Sequence, residues 1–299
     1  MGKTIVNNNI KLKSGGGIVN DAADGLSVNN DEIIFQEIFG DGSDGNVVIS
    51  TDTSLTRDMF YNNLTINAGI SLHTAGFRVF VREKLINNGT IHNNGGNGSA
   101  SSSGTAVGGS AGSTGSLLGG GAGGGPAQTY CGSGGGGGGV LMLFVNEVFV
   151  EGNIQANGGN GGNAIDSGGS VTVEGASGGN VANALINANG GSSLDAYGSS
   201  AGVVTNVRTI SEIPLILLPF IDTINMVALG GGAGGMAGGR IGTNEYGGGG
   251  GGGGTIVYCY RQIITPGTIS ANGGIGGNHS PNGKANDGNN GKVIKKQII

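Results

Sequence analysis

Glycine content constrains this chain more than any other feature of its sequence, because 70 of its 299 residues are Gly against an average of about 7 %. Each Gly inside regular structure costs about 1 kcal/mol relative to Ala, so ordering so many requires extensive packing. The Gly residues follow no strict three-residue period and there are only 5 Pro, which excludes collagen. A hydrophobic content of 36 % and a net charge of −5 do not fit full disorder. Helix formers are scarce, which argues against a metabolic enzyme.

The charge balance points away from nucleic acid, because 14 Lys and Arg face 19 Asp and Glu. One basic cluster, Lys292, Lys295 and Lys296, lies near the C-terminus, and we expect it to be a solvated tail. Residues 1–6 lack the apolar region of a signal peptide, which predicts synthesis in a cytoplasm without export.

We expect neither a membrane span nor a disulfide in this chain. The apolar segment Ile210–Leu229 contains two acids and two prolines, so we do not expect it to cross a membrane. A buried plug or a subunit contact remain open for it. Cys131 and Cys259 are expected to be free thiols, because nothing indicates secretion.

Residues 41–92 carry the clearest strand signals. Short runs rich in Val, Ile, Thr and Phe alternate with Ala-Gly or Asn-Gly turns. Their close spacing is typical of the rungs of a β-solenoid. We therefore divide the chain into an N-terminal attachment segment (1–40), a strand-rich region (41–98) and a Gly-rich repeat domain (99–299) that ends in a strand pair.

An internal repeat, Ile-x-(Ala/Asn)-Asn-Gly-Gly, supports the solenoid prediction, because each full copy follows a predicted strand. We expect the Ile to stack inward from rung to rung about 4.8 Å apart, the Asn-Gly to turn a corner with positive φ, and the Asn side chains to bond one another. The repeated positions are Ile91, Ile154 and Ile269, with Asn94, Asn157 and Asn272.

Poly-Gly tracts precede two of the repeat copies. A flexible linker is one interpretation of them, and packed polyglycine in the extended, threefold polyproline-II geometry is the other. The strands that flank them favour packing. The tracts are Gly120–Gly125, Gly134–Gly139, Gly230–Gly235 and Gly247–Gly254. The predicted fold is thus all-β, a Gly-rich β-solenoid with packed polyglycine segments.

Residues 10–28 (IKLKSGGGIVNDAADGLSV) resemble the repeat unit of bacteriophage tail-fibre proteins. Residues 40–50 and 53–66 are similar to a segment that recurs in Gly-rich phage tail or adhesin proteins. The alternation of Gly blocks with diverse segments over residues 93–280 resembles the receptor-binding adhesins at the tips of T-even-like long tail fibres. These resemblances imply a virion-associated protein, trimeric or at a fibre tip, that binds a host surface.

A search for chemistry finds no nucleophile–base pair, no metal site and no cofactor motif. His73, His92 and His279 lie far apart in sequence, and we expect His92 to face outward from a rung. The run from Asp41 to Asn46 is similar to a calcium loop but lacks its distal Glu, which favours a plain turn. G-x-G-x-x-G matches carry no information in so Gly-rich a chain.

A polysaccharide depolymerase is the enzymatic alternative, since phage β-helix spikes cleave glycans with paired carboxylates. The pair Glu147 and Glu151 is predicted to share one face of a strand. The absence of Trp argues against a sugar platform. The other candidate acids are Asp166, Glu174 and Asp195.

We therefore expect a non-enzymatic structural or adhesive virion protein, made without a signal peptide and located in the tail or a surface appendage. Its expected partners are copies of itself in a homotrimer or other tail proteins, and a host surface glycan or outer-surface protein. Recognition is assigned to segments between Gly tracts, where Tyr and Asn supply adaptable contacts. The candidate receptor-binding residues are Tyr130, Tyr197, Tyr246 and Asn244. A purely structural shaft or capsid decoration stays open.

Overall fold

The computed structural model describes residues 18–21, 25–28, 38–99, 132–164, 181–182, 204–205, 240–241, 244–245, 248–279 and 283–298. Regular structure in these residues is almost entirely β-strand. In chain order the strands are β1 Ile18–Asp21, β2 Gly25–Val28, β3 Gly45–Ile49, β4 Thr53–Ser54, β5 Met59–Ile66, β6 Ser71–His73, β7 Val79–Asn87, β8 Thr90–His92, β9 Val140–Val150, β10 Asn153–Gln155, β11 Val181–Ala182, β12 Val204–Thr205, β13 Arg240–Ile241, β14 Asn244–Glu245, β15 Thr255–Thr265, β16 Thr268–Ser270 and β17 Lys292–Gln297.

Two parallel sheets dominate the described residues. The larger has the order β17-β15-β9-β7-β5-β3, and the smaller has the order β16-β10-β8-β6-β4. The chain runs through a strand of the larger sheet, turns, runs through a strand of the smaller sheet and then returns. We call each such visit a pass, so that β3–β4, β5–β6, β7–β8, β9–β10 and β15–β16 are successive passes. The all-β prediction is confirmed.

Columns of apolar side chains fill the space between the two sheets. Ile91, Ile154 and Ile269 lie in register on neighbouring strands, so the shared slot in the repeat is a shared position in the sheet. Ile91 and Ile154 are fully buried, whereas Ile269, in the last pass, is half-buried. Burying a side chain of this size contributes roughly 1.5–3 kcal/mol.

The larger sheet also buries its outer face. Phe60, Phe80 and Phe144 form a stacked column, with ring centroids 4.8 and 4.9 Å apart. Cys259 continues this column and is a buried free thiol, and burial raises its pKa to about 12. Both faces of Val140–Val145 are therefore buried, which explains the unbroken apolar run typical of parallel strands.

The poly-Gly segments form two hydrogen-bonded layers beside the sheets. The outgoing layer leaves the smaller sheet and comprises residues 93–99, 156–164 and 271–279. The returning layer re-enters the larger sheet and comprises residues 132–139, 248–254 and 283–291.

Hydrogen bonds in these layers recur at every third residue. Within the returning layer, the N–H groups of Gly135 and Gly138 donate to carbonyls of the next segment. Between the layers, Gly136 donates to Gly96 at 2.9 Å, and Gly159 donates to Gly136 at 2.7 Å. The described parts of the 134–139 and 247–254 tracts are thus packed, whereas 120–125 and 230–235 lie outside the described residues.

Glycine is required in the layers because the backbones of neighbouring segments approach closely. The predicted positive φ of the glycines in the Asn-Gly pairs is wrong there. None of the repeat glycines Gly95, Gly158 and Gly273 has a positive φ. A Cβ added at Gly158 would instead collide with the carbonyl oxygen of Gly251. The layers therefore approach to a distance at which no side chain fits.

Candidate functional site

Three connections leave the Gly layers at one end, which we call the connection end. The backbone N–H of Ser133 donates to the carbonyl of Ser99 at 3.0 Å, so residues 100–131 begin and end at neighbouring positions. The N–H of Gly248 donates to the carbonyl of Gly162 at 2.9 Å, which brings together the ends of residues 165–247. A turn bond from His279 to Gly283 closes the third connection.

The described ends of the three connections lie side by side. Gly162 donates to the carbonyl of Ser133, and Gly277 donates to the carbonyl of Gly248, at 2.8 and 2.7 Å. One small area of the scaffold is therefore the base of every segment that the sequence assigns to recognition within 99–283.

Asparagine side chains tie successive passes together beside the connection end. The Oδ1 of Asn97 accepts the backbone N–H of Asn160, and the Oδ1 of Asn160 accepts that of Ile275, both at 2.8 Å. The repeat positions Asn94, Asn157 and Asn272 form the same ladder three residues nearer the sheets, with bonds of 2.7 and 2.8 Å. Asn94, Asn97, Asn157 and Asn160 each supply an acceptor to the next pass, which holds the base of the connections in a fixed register.

The predicted receptor-binding residues are not brought together within the described part of the chain. Tyr130, Tyr197 and Tyr246 lie outside the described residues. Asn244 lies in β14, which pairs with β13 in an antiparallel register that sets Asn244 opposite Ile241.

Sequence reasoning missed a column of polar side chains on the outer face of the smaller sheet. Ser54, His73 and His92 occupy equivalent positions on β4, β6 and β8. The two imidazole rings stack with centroids 5.0 Å apart, and the Nδ1 of His73 lies 3.3 Å from the Oγ of Ser54. The signal was present in the sequence, because Leu72-His73 and Ile91-His92 each end a short strand that follows a turn.

Asn93 orients the imidazole ring of His73. The Nδ2 of Asn93 donates to the carbonyl of Val140 at 2.7 Å inside the protein, so its Oδ1 is directed to the Nε2 of His73 at 3.3 Å. Because an amide oxygen only accepts, the Nε2–H of His73 donates to the Oδ1 of Asn93. Burial, followed by the neighbouring His73, lowers the pKa of His92, and Asp52 opposes this effect.

The carboxylates considered for glycan cleavage do not share a face. Glu147 pairs with Lys84 and Gln262 in a column of half-buried and exposed polar residues. Glu151 is fully buried. The prediction fails because β9 carries an extra residue, Phe149, between the residues that pair with Leu85 and Ile86, and this bulge reverses the alternation of side chains.

The buried carboxylate of Glu151 accepts from the partly exposed Lys295 in an ion pair. The Nζ of Lys295 donates to one carboxylate oxygen at 2.6 Å, and the N–H of Gly267 donates to the other at 2.7 Å. The same ammonium lies 5.5 Å from the ring centroids of Tyr258 and Tyr260. The basic cluster is thus not a solvated tail, since Lys292, Lys295 and Lys296 belong to a strand of the larger sheet.

The Asp41–Asn46 run forms a turn. The N–H of Gly45 donates to the carbonyl of Gly42, and the carboxylate of Asp44 accepts from Arg57 and from the N–H of Phe60. The hydrogen bond from Arg57 lowers the pKa of Asp44. In the described part of the chain no three His, Cys, Asp or Glu side chains group as metal ligands would.

Other expectations fall on residues that are only partly described. Cys131 and the segment Ile210–Leu229 lie outside the described residues. Within the described ranges, no helix has the length and apolar character needed to cross a membrane. Comparisons with known proteins identify no relative, since no family model, curated protein or solved structure matches the chain.

Proposed function

We propose that this chain is an adhesive protein of a phage particle, a β-solenoid with polyglycine in the polyproline-II geometry that binds a host cell surface through the segments at its connection end. The observation that carries the proposal is the convergence of three connections on one end of the Gly layers, each anchored by backbone hydrogen bonds. Recognition residues are often carried on loops held by a rigid scaffold. The resemblance to phage tail-fibre and adhesin sequences supplies the phage context.

The bonds that hold the layers together allow the residues of the connections to change, which supports a role of the connections in recognition. Backbone groups make the bonds between Gly segments, so a change of side chain in a connection leaves those bonds intact. Tyr130, Tyr197 and Tyr246 are the tyrosines of these connections, and Tyr supplies large contact area at low entropic cost. We also propose a homotrimer, because the ordering cost of so many Gly residues favours additional packing between chains.

The depolymerase alternative has weaker support. A glycosidase needs two carboxyl groups that face one glycosidic bond. Glu147 and Glu151 lie on opposite faces, and Glu151 is held by Lys295 in the interior. Asp166, Glu174 and Asp195 lie outside the described residues.

Adsorption tests the proposal. Labelled, purified protein should bind saturably to cells of the bacterium that the particle infects and should compete with the particle for them. Asn244→Ala combined with Tyr246→Ala should weaken adsorption at least tenfold. The matched control is Asn88→Ala, which changes an exposed Asn in the turn between β7 and β8 and should leave adsorption unchanged.

Three outcomes contradict the proposal. Unchanged adsorption by the double variant and by Tyr197→Ala and Tyr130→Ala would remove the connection end from recognition and favour a shaft or decoration role. Release of sugar fragments from host envelope would favour the depolymerase. A monomer in light scattering that still unfolds in one sharp transition would remove the trimer.

A further inference from the structure

A serine and a histidine of neighbouring passes form a hydrogen-bonded pair on the outer face of the smaller sheet. Ser54 ends β4, His73 ends β6, and the register sets the two residues opposite each other. The Oγ of Ser54 lies 3.3 Å from the Nδ1 of His73. A serine hydroxyl beside an imidazole nitrogen is activated as a nucleophile, because the imidazole removes the hydroxyl proton as the oxygen attacks. A separation of 19 positions in the sequence conceals the pair from a motif search.

A buried amide holds the imidazole of His73 in place. Its Nε2 lies 3.3 Å from the Oδ1 of Asn93, and Asn93 is fully buried. The Nδ2 of Asn93 donates to the carbonyl of Val140 at 2.7 Å, which fixes the end of the amide that faces the ring. A neutral imidazole that donates from Nε2 has its lone pair on Nδ1, so His73 presents an acceptor to Ser54. A nucleophile, a base and an orienting group thus follow one another in one chain of hydrogen bonds.

The second imidazole of the column lacks this arrangement. His92 occupies the equivalent position on β8, and its ring stacks on that of His73 with centroids 5.0 Å apart. Its neighbours in the column are His73 and Gln155 rather than a serine, and in the described part of the chain its Nδ1 has no hydrogen-bond partner. His92 is therefore a matched comparison for His73, with the same ring on the same face.

Ser54 is accessible to a substrate, because its side chain is exposed. The backbone N–H of Leu55 donates to the carbonyl of His73. Because successive residues of a parallel strand bond to opposite sides, the N–H of Ser54 is directed away from β6, and among the described strands β4 pairs with β6 alone. The N–H of a nucleophilic serine is one of the donors that stabilise the oxyanion formed when its oxygen attacks.

The surroundings of Ser54 favour a short, uncharged ester. Asp52 lies two residues earlier, and its carboxylate accepts the N–H of Ser71 at 2.8 Å. This negative charge disfavours an anionic substrate. The large apolar side chains that are exposed in the described residues belong to the larger sheet or, for Ile275, to the outgoing layer. No such side chain in the described part of the smaller sheet would receive a long acyl chain.

We propose that Ser54 and His73 are the catalytic residues of an esterase site for short, uncharged carboxylic esters, with Asn93 as a positioning residue. The Oγ of Ser54 forms a bond to the ester carbonyl carbon while the Nδ1 of His73 takes the hydroxyl proton. The ester C–O bond then breaks, and the leaving oxygen takes that proton and departs as an alcohol. Water attacks the acyl group in the same way, which releases the carboxylic acid and restores Ser54. The site contains no residue of the connection end and does not depend on the proposed adhesive function.

Acylation of Ser54 tests the pair directly. The full chain should release para-nitrophenol from para-nitrophenyl acetate faster than buffer does, and a fluorophosphonate probe should form an adduct that mass spectrometry locates on Ser54. Ser54→Ala should abolish the adduct and lower the rate of hydrolysis at least tenfold. Ser50→Ala is the matched control, because it removes another exposed serine of the same pass, and it should react as the unaltered chain does.

The two imidazoles provide the second comparison. His73→Gln should lower the rates of hydrolysis and of adduct formation at least tenfold, because the hydroxyl loses its base. His92→Gln changes the same residue type on the same face and should retain at least half of both rates. Where His73→Gln does not fold, Ser54→Ala, which changes an exposed position, carries the test.

The positioning role of Asn93 has its own readout. Asn93→Ala should lower kcat at least fivefold and leave KM unchanged, because the fully buried amide cannot touch the substrate. Asn93→Asp keeps an oxygen that accepts from the Nε2 of His73 and should recover part of the loss in kcat. Equal losses in the two variants would overturn the positioning role.

The esterase proposal is overturned by the absence of an adduct on Ser54, by hydrolysis that Ser54→Ala leaves unchanged, or by equal losses in His73→Gln and His92→Gln. A loss in Ser50→Ala as large as that in Ser54→Ala would also overturn it. Cell adsorption should be unchanged in Ser54→Ala, so failure here and failure of the adhesive function give different results.

Discussion

The two-sheet stack and the Gly layers are built by the same passes of the chain, yet different parts of each residue hold them together. In the stack, side chains such as Leu85 and Ile154 fill the space between the sheets. In the layers, backbone N–H and C=O groups meet directly, and buried glycines such as Gly135 leave no room for a Cβ.

The junction between the two regions shows what they share. The returning layer becomes β9 at Val140 and β15 at Thr255, and the N–H of Thr255 donates to the carbonyl of Gly139 across that junction. Hydrogen bonding between passes therefore continues from layer to sheet, while the source of packing changes from backbone to side chain. The same substitution should therefore change the free energy of unfolding by different amounts in the layers and in the stack.

Gly135→Ala should produce the largest effect, because its Cβ would collide with the carbonyl of Gly159 between the layers. We expect a loss of at least about 4 kcal/mol in the free energy of unfolding, at the upper end of single-substitution effects. Gly69→Ala is the control, because no atom lies within 4 Å of a Cβ there and only its positive φ resists, at about 1–2 kcal/mol. Denaturant titration compares them, and equal losses would refute the backbone account of the layers.

Ile154→Ala should produce a smaller loss, of about 3 kcal/mol, because it leaves a cavity in a fully buried column of the stack. Ile269→Ala removes the same group from a half-buried position and should cost about 1–2 kcal/mol. Thermal unfolding of both variants measures the difference. Equal losses would mean that the last pass is covered as completely as the others.

Mild acid should produce the smallest loss in the free energy of unfolding, and the loss should arise from His92 in the two-sheet stack. The folded protein lowers the pKa of His92 below its ordinary 6.5, chiefly by burial, so unfolding takes up a proton. Stability is therefore fully present above about pH 6.5 and is lost as the pH falls through the lowered pKa. His92→Gln should flatten the dependence of the unfolding free energy on pH between 6.5 and 4, and an unchanged slope would assign the effect to other groups.

The sequence predicted those repeating parts of the fold that are marked by a recognisable string of residues. Ile91, Ile154 and Ile269 could be aligned because the Asn-Gly-Gly string follows each of them. The contact of His73 with His92 was not predicted, because the pass that contains His73 lies 19 residues earlier and lacks that string. Because the passes differ in length, a fixed spacing in the sequence does not align their equivalent positions. The alignment follows only from the pairing of the strands.

Two other failures have local causes. A single bulge at Phe149 separated Glu147 from Glu151, and bulges leave little trace in a pattern of alternating residues. The repeat glycines were assigned to corners because Asn-Gly is a common turn signal, whereas they pack against the backbone of other Gly segments. The proposed recognition residues do not occupy positions of the repeat, so neither periodicity nor spacing predicts their placement.

Hydrogen bonding at every third residue also limits how such a chain can change in length. With the proposed threefold extended geometry, an insertion of three residues in a Gly segment restores the direction of every following side chain, because three residues complete one turn. An insertion of one or two residues would turn Asn160 away from the N–H of Ile275, which now donates to its Oδ1. It would also direct a side chain into the neighbouring layer. Viable relatives should therefore differ by multiples of three inside the layers and by any number in the connections.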